Sequence, residues 1–302
     1  MGWRTVVVSS TAKLDYKLGY LVVRSSEEVQ RVHLSEISVL LLESTSISLT
    51  AYLLCELANA KISVIFCDQK RNPHGQYIPL YGNHNSSDQI RNQIQWKDDA
   101  KREVWRAIIA QKIKGQAAIL RKYNHKEDSE KLLSYIPEIE PRDVTNREGH
   151  AAKIYFNRLF GFDFTRDNDE NVINAELNYG YAILLSTVNR EVVYNGYLTQ
   201  IGIHHDNMFN DFNLSSDLME PFRPLVDNVV LRLDHSELDT KTKHTLVNVL
   251  NQRVFIDGKE QYFANALSIY VKSVITAIES NDLTRLKFPN YELSLYESNS
   301  NV

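Results

Sequence analysis

Three stretches of the chain place ionisable side chains where packing alone does not ask for them. The first is TNREGHAAKIYFNRLFG, residues 145–161. Thr145 and Glu148 have the T-x-x-E spacing of a capping box, which makes Glu148 a helix-start residue and nothing more. At about 100° per helical residue, however, Glu148 shares a stripe with Ala152, Tyr155 and Leu159. A carboxylate on that apolar face needs a cation or a hydrogen-bond donor. Spacing alone does not choose between the two readings. The second stretch is GIHH, Gly202–His205. Neighbouring histidines in an extended segment point to opposite sides, so one of them at most faces a given site. The third is DLMEPFRPLVD, residues 217–227. Leu218, Phe222, Leu225, Val226 and Val229 form the buried stripe of a helix, and Glu220 lies roughly 150° from its centre. Pro221 removes an amide donor, and Pro224 repeats the penalty. A restrained helix start that aims Glu220 at a site makes sense of both prolines.

Two glutamates and one histidine, from a helix, a loop and a second helix, suit a divalent ion with mixed oxygen and imidazole ligands. Carboxylate-rich sites favour Mg²⁺ or Mn²⁺, and an imidazole tilts the choice toward Mn²⁺. Soft ligands are too few for structural zinc. An ion of this kind can polarise a phosphodiester and activate a water or a 3′-hydroxyl.

The elements that must position these groups fall into two parts, an α+β organisation. Residues 1–82 read as a small β-rich domain: TVVVSS, KLDYKLGYLVV, EVQRVHL, ISVLLL and KISVIFCD are short strand-like runs separated by turn signals. Within them SISLTAYLLCELANA has helical spacing, with Leu49, Leu53 and Leu57 in register and Ser46 or Ser48 available as cap. Residues 83–95 are polar and read as a linker. From 96 to 285 the pattern is helical throughout, an all-α domain expected to be the catalytic one. Its helices are expected at 96–123, 146–160, 174–193, 218–234, 240–253 and 262–280. Residues 286–302 lose periodicity and are expected to form a flexible tail.

The net charge of −4 announces no nucleic-acid binder, although local stripes matter more than totals. One such stripe lies on the long helix: Lys101, Arg102, Arg106, Lys112, Lys114, Arg121 and Lys122. It is either a solvated face or a face that tracks phosphates. Cys55 and Cys67 sit in apolar runs and read as buried free thiols of a reducing compartment. The N-terminal segment lacks the apolar core of a signal peptide, and no apolar run approaches a membrane span. A cytoplasmic location is expected.

REGHAAKIYF resembles the E-G-x-A-A-x-x-Y-F helix of the CRISPR adaptation integrases, the spacer-acquisition nuclease family. NAELNYGYAIL is similar to that family's Asn-Leu-Asn-Tyr-Gly-Tyr helix. GIHH with DLMEPFRPLVD resembles its G-x-x-H loop and D-L-M-E-x-F-R-P helix. The three motifs occur in order, and their dialect is most similar to the type II-A branch. The resemblance implies that Glu148, His205 and Glu220 ligate the metal and carry catalysis. It places Asp217 beside the site, with Tyr179 and Asn178 on the helix walling it. His204 and His150 fill positions the motifs leave open, and DNMFND departs from the commoner pattern. It also gives weight to a DNA-facing surface of Lys101, Arg102, Arg106, Lys112, Arg121, Lys122 and Arg223.

The implied activity is joining of the 3′-hydroxyl ends of a double-stranded prespacer to CRISPR leader–repeat DNA by transesterification. The implied partners are a second copy in a homodimer and a small ferredoxin-like subunit bridging two dimers. A ring-shaped DNA-binding protein and an RNA-guided effector nuclease are further expected in type II-A systems. Two other functions compete: a DNA-binding scaffold subunit without chemistry, and a general metal-dependent nuclease on branched DNA.

Overall fold

The Val- and Leu-rich runs of the N-terminal region form two sheets in a computed structural model that describes residues 2–79 and 82–292. One sheet orders β1 (Arg4–Val8), β5 (Ile37–Leu42), β7 (Ser63–Cys67) and β8 (Pro73–Tyr77). Its first two pairings are parallel and its last antiparallel. The other orders β4 (Val29–His33), β3 (Tyr20–Arg24), β2 (Lys13–Lys17) and β6 (Ser48–Leu49). Helix α1 (Ala51–Asn59) packs on them through Leu53 and Leu57. Its cap is Thr50, which accepts from the Leu53 amide at 3.2 Å, and neither Ser46 nor Ser48. Cys67 is buried, whereas Cys55 lies off the Leu53–Leu57 stripe and is exposed, contrary to the sequence reading.

Strand β5 is buried at every position. Its side chains alternate between faces. Leu40 and Leu42 join Leu14, Leu21 and Leu53 in the N-terminal core. Val39 and Leu41 join the larger core formed by the helices. A strand covered on both sides reads as a continuous apolar run rather than an alternating one, and ISVLLL has that pattern.

The remaining helices are α2 (Ser86–Ile94), α3 (Asp98–Lys122), α4 (Lys126–Tyr135), α5 (Arg147–Phe160), α6 (Val172–Tyr194), α7 (Asn213–Met219), α8 (Arg223–Val230), α9 (Thr240–Val247) and α10 (Phe263–Ser280). The β-rich start and the mostly helical remainder follow the sequence reading, with several corrections. The stretch read as a linker carries α2, and α4 had no counterpart among the expected helices. The helix expected over 218–234 is two helices separated by a 3₁₀ turn, Glu220–Phe222, because Pro221 and Pro224 each occupy an opening position and break the ladder. The helix expected over 240–253 ends early, and β9 (Arg253–Ile256) and β10 (Lys259–Tyr262) form a hairpin inside the helical part. Its two-residue turn is Asp257-Gly258, both at positive φ, the pair a type I′ turn requires.

Residues 286–292 are not a free tail. Phe288 packs on the main core, Tyr291 is buried, and Gln111 donates to the Pro289 carbonyl at 2.6 Å. Residues 293–302, the rest of that expected tail, lie outside the described residues. Among the described residues no helix is long and apolar enough to cross a membrane.

The centre of the helical core holds one polar node. Asp227 of α8 accepts from Tyr155 of α5 at 3.0 Å and from Tyr181 of α6 at 2.5 Å, tying three helices at one carboxylate. Burial pushes the Asp227 carboxyl up to about 6, against the two tyrosine hydrogen bonds and the nearby Arg223 and Lys112. Below the unfolded value the group is protonated in both states and costs nothing. Between the unfolded and the folded value the unfolded chain ionises while the buried acid stays protonated, so the group's contribution to stability falls across that interval and is fully lost once pH has risen through the folded value. Asp227→Asn is therefore expected to gain on the wild type by about 3 kcal/mol between pH 3 and pH 7. Urea unfolding across that range checks this; a pH-independent difference would contradict it.

Candidate active site

The start of α5 shows that Glu148 is not the capping residue. The cap is Asn146, in the left-handed region at φ +51, and its side chain accepts from the Gly149 amide. Asp143 accepts from the Arg147 amide at 2.9 Å and the Glu148 amide at 2.8 Å. The Thr145 hydroxyl goes instead to the Glu138 carbonyl. With the first-turn amides satisfied by Asp143 and Asn146, Glu148 has no capping duty. Its carboxylate reaches Lys112, accepting a hydrogen bond at 2.6 Å.

Glu220 arrives at the same ammonium from the break between α7 and α8. Its Oε2 lies 2.5 Å from Lys112 Nζ, and its Oε1 lies 3.0 Å from Arg223 Nε. The wheel placed Glu220 off the apolar stripe, yet it is only 3% exposed, because α3 covers that side of the turn. Gly115 permits the approach: a Cβ there would press into the Tyr291 ring and Pro224. Lys112 sits one turn away on α3.

Burial pushes the Glu148 carboxyl up, but the Lys112 ammonium outweighs it and, with Arg223 and His205, holds it below the usual carboxylate range. Burial lowers Lys112, and the two glutamates more than offset this and keep it above its ordinary value.

Asp217 organises the histidine loop. Fully buried, it accepts from the amides of Ile203 (2.6 Å), His204 (3.0 Å) and His205 (3.1 Å), and it contacts His205 Nδ1 at 2.6 Å. Gly202 is required by the tightness of this wrap, since a Cβ would collide with the His205 carbonyl and Asp217 Oδ2. The Asp217 bond raises His205 above its usual value, against burial. With Nδ1 engaged, Nε2 is the nitrogen left for a ligand or a proton. The two histidines do not point to opposite sides. His204 stacks on Trp105 with ring centroids 4.3 Å apart, and His205 meets the same indole edge-on at 5.7 Å. Helix α2 braces the approach to this loop: the Gln93 amide donates to the Leu198 and Ile201 carbonyls and accepts from the Leu198 amide.

Other expected site residues are dispersed. Tyr179 is buried at the far side of α6, with Lys243 over its ring and Cys67 and Glu43 nearby. Tyr181, two residues on, is the tyrosine next to the carboxylates, with Arg223 over its ring at 4.7 Å. Asn178 is exposed and accepts from Arg166. His150 is exposed. Of the expected DNA-facing cations, Lys101 and Arg102 line a cavity of about 290 Å³ with Trp105, Arg142, His204 and His205. Arg102 pairs with Asp98 and Asp99, Arg106 with Glu103, and Arg121 with Glu292. Lys122 is half-buried near Arg232. Lys112 is no surface residue at all. Its positions i−4, i−3, i+3 and i+4 are Ile108, Ile109, Gly115 and Gln116, all buried, and that spacing was the available signal.

Among the described residues no three His, Cys, Asp or Glu side chains already stand together at metal-ligating spacing. The donor chemistry nevertheless fits a divalent ion. Glu148 and Glu220 converge on one cationic point, and Glu220 Oε2 is buried without a hydrogen bond despite the ammonium beside it. His205, oriented by a carboxylate on its other nitrogen, has the arrangement common to metal-binding histidines.

Comparison with known proteins places this chain in a family. The family model described as CRISPR associated protein Cas1 matches residues 5–253. The CRISPR-associated endonuclease Cas1 of Neisseria meningitidis serogroup C is 31% identical over 96% of both chains. In fold, the chain is similar to a casposase bound to integration product, with TM-score 0.73 and 19% identity over 93% of this chain and 91% of that one. It is also similar to part of a Cas6-RT-Cas1–Cas2 complex, with TM-score 0.71 and 18% identity over 94% of this chain and 36% of that one. Family match and full-length relative agree: the chain belongs to the CRISPR-associated Cas1 family.

Proposed function

We propose that this chain is a metal-dependent integrase and endonuclease of CRISPR adaptation, with Glu148, His205 and Glu220 holding Mg²⁺ or Mn²⁺. In this reading it joins prespacer 3′-hydroxyl ends to leader–repeat DNA by transesterification. The carrying observation is the convergence of Glu148 and Glu220, from separate helices, on a single buried cation. Solvation gives no reason to bury two carboxylates together, so a site that needs them is the better account. The bound ion would polarise the phosphodiester and stabilise charge on the attacking and leaving oxygens.

The protein's own residues do the positioning. Asp217 fixes the ring of His205 and the backbone around it. Trp105 holds both imidazoles from below, and Gln93 secures the chain leading to them. Lys101, Arg102 and Arg142, around the cavity beside His205, are suited to phosphate oxygens. The similarity to a casposase named with its integration product, and to a relative named an endonuclease, supports phosphodiester chemistry on DNA.

The neighbour named a Cas1–Cas2 complex supports partnership with the small adaptation subunit. The same reading carries a homodimer formed through the β domain, with two dimers bridged by that subunit. In the type II-A branch it carries the ring-shaped DNA-binding protein and the effector nuclease as further partners.

Glu220→Gln, purified and mixed with the bridging subunit, is expected to lose prespacer joining by at least about a hundredfold while retaining partner co-elution. Joining at the wild-type rate on a denaturing gel would refute the catalytic reading in favour of a scaffold. Gln93→Ala tests the brace. Losing its hydrogen bonds to residues 198 and 201 is expected to cost about 2 kcal/mol of stability and to slow joining roughly tenfold. Joining slowed without any stability change, or the reverse, would show that α2 does not act through the histidine loop.

A further inference from the structure

Lys112 occupies the point at which Glu148 and Glu220 converge, and it is buried in the middle of α3. In direct contact the charges balance, with Glu148 and Glu220 against the Lys112 ammonium and the Arg223 guanidinium, while Asp227 acts on both cations and His205 on Glu148 from farther away. A dication entering that contact set would crowd positive charge around two carboxylates in a poorly solvated pocket, which is costly even with Asp227 behind it. Withdrawal of one resident cation relieves that crowding.

Arg223 is the anchored one. Its guanidinium lies 4.7 Å from the centre of the Tyr181 ring and contacts the other Glu220 oxygen, Oε1. Lys112 contacts Glu148 Oε1 and Glu220 Oε2 through a flexible four-carbon stem, its one ammonium shared between the two carboxylates. Its contact with Glu220 lacks hydrogen-bond geometry, so that oxygen is neutralised but not satisfied.

We infer that metal loading is an exchange. The Lys112 ammonium is a built-in placeholder for the divalent cation, holding Glu148 and Glu220 together in the metal-free protein and withdrawing when the ion enters. This rests on the assignment of those glutamates as metal ligands. Two consequences follow. Without metal, the two carboxylates do not repel each other out of position, so the site is preformed. With metal, displacement of Lys112 opposes binding, so the wild-type protein takes up the ion less tightly than its ligand set alone would allow. Lys112 is thus a positioning residue that sets metal affinity, in place of the DNA-contacting role its neighbours suggested.

The test is Mn²⁺ titration calorimetry on the full chain without DNA, for wild type, Lys112→Met and Lys112→Arg. Removal of the charge in Lys112→Met is expected to tighten Mn²⁺ binding by at least about tenfold, and Lys112→Arg is expected to stay near wild type. Equal or weaker binding by Lys112→Met overturns the exchange while leaving the metal reading intact. Absence of binding by wild type and both variants overturns the metal reading and the exchange with it.

A measurement on wild type alone decides the matter if Lys112→Met does not fold. Acetic anhydride labelling of Lys112, followed by mass spectrometry, is expected to rise severalfold at saturating Mn²⁺. Unchanged labelling under saturation overturns the exchange.

Discussion

An ammonium buried between two carboxylates is held only if all three groups arrive together, since loss of any one leaves an uncompensated charge in the interior. Lys112, Glu148 and Glu220 come from α3, from the first turn of α5 and from the break between α7 and α8. Their meeting therefore fixes how three separate segments pack. The local chemistry of each segment serves that meeting. Asp143 and Asn146 take over the capping of α5 and release Glu148. Pro221 and Pro224 stop one helix and start another, so that Glu220 lies on a tight turn and not in mid-helix. Gly115 removes the bulk that would keep α3 away.

The histidine loop is built by a different means. Three backbone amides and one imidazole converge on Asp217, and a glycine admits the close wrap. Loops placed by a single buried carboxylate are precise without belonging to a helix or strand. Brackets from α2 and from Trp105 hold this loop relative to α3, the helix that also carries Lys112. Strand β5 lies between the two cores and ties the β-rich region to the helices through Val39 and Leu41, without contributing a side chain to the glutamate pair.

Much of this was legible in the sequence because the signals are local. Strand-like runs, long apolar periodicity and motif spacing gave the β-then-helical order and pointed to the stretches around Glu148, His205 and Glu220. The misreadings share one cause, competition between local signals that only tertiary contact resolves. T-x-x-E spacing suggested a cap at Thr145, but a left-handed Asn146 moved the cap by one residue. Tyr179 and Tyr181 lie nearly opposite on α6, and the sequence does not say which side meets α8; it is Tyr181. The sign of Lys112 groups it with its basic neighbours on α3. Its helical spacing to Ile108 and Ile109 pointed inward instead. The α2 segment is polar on average and looked like a linker, although buried Gln93 carries its tertiary role.

In the proposed exchange, Glu148 and Glu220 form one cation site in which a divalent ion and Lys112 alternate. Anomalous diffraction from crystals soaked in Mn²⁺ tests it most directly. The exchange predicts a manganese peak beside the Glu148 and Glu220 carboxylates, with the Lys112 side chain drawn away from both. A peak elsewhere, or Lys112 still seated between the two carboxylates at full manganese occupancy, would contradict it.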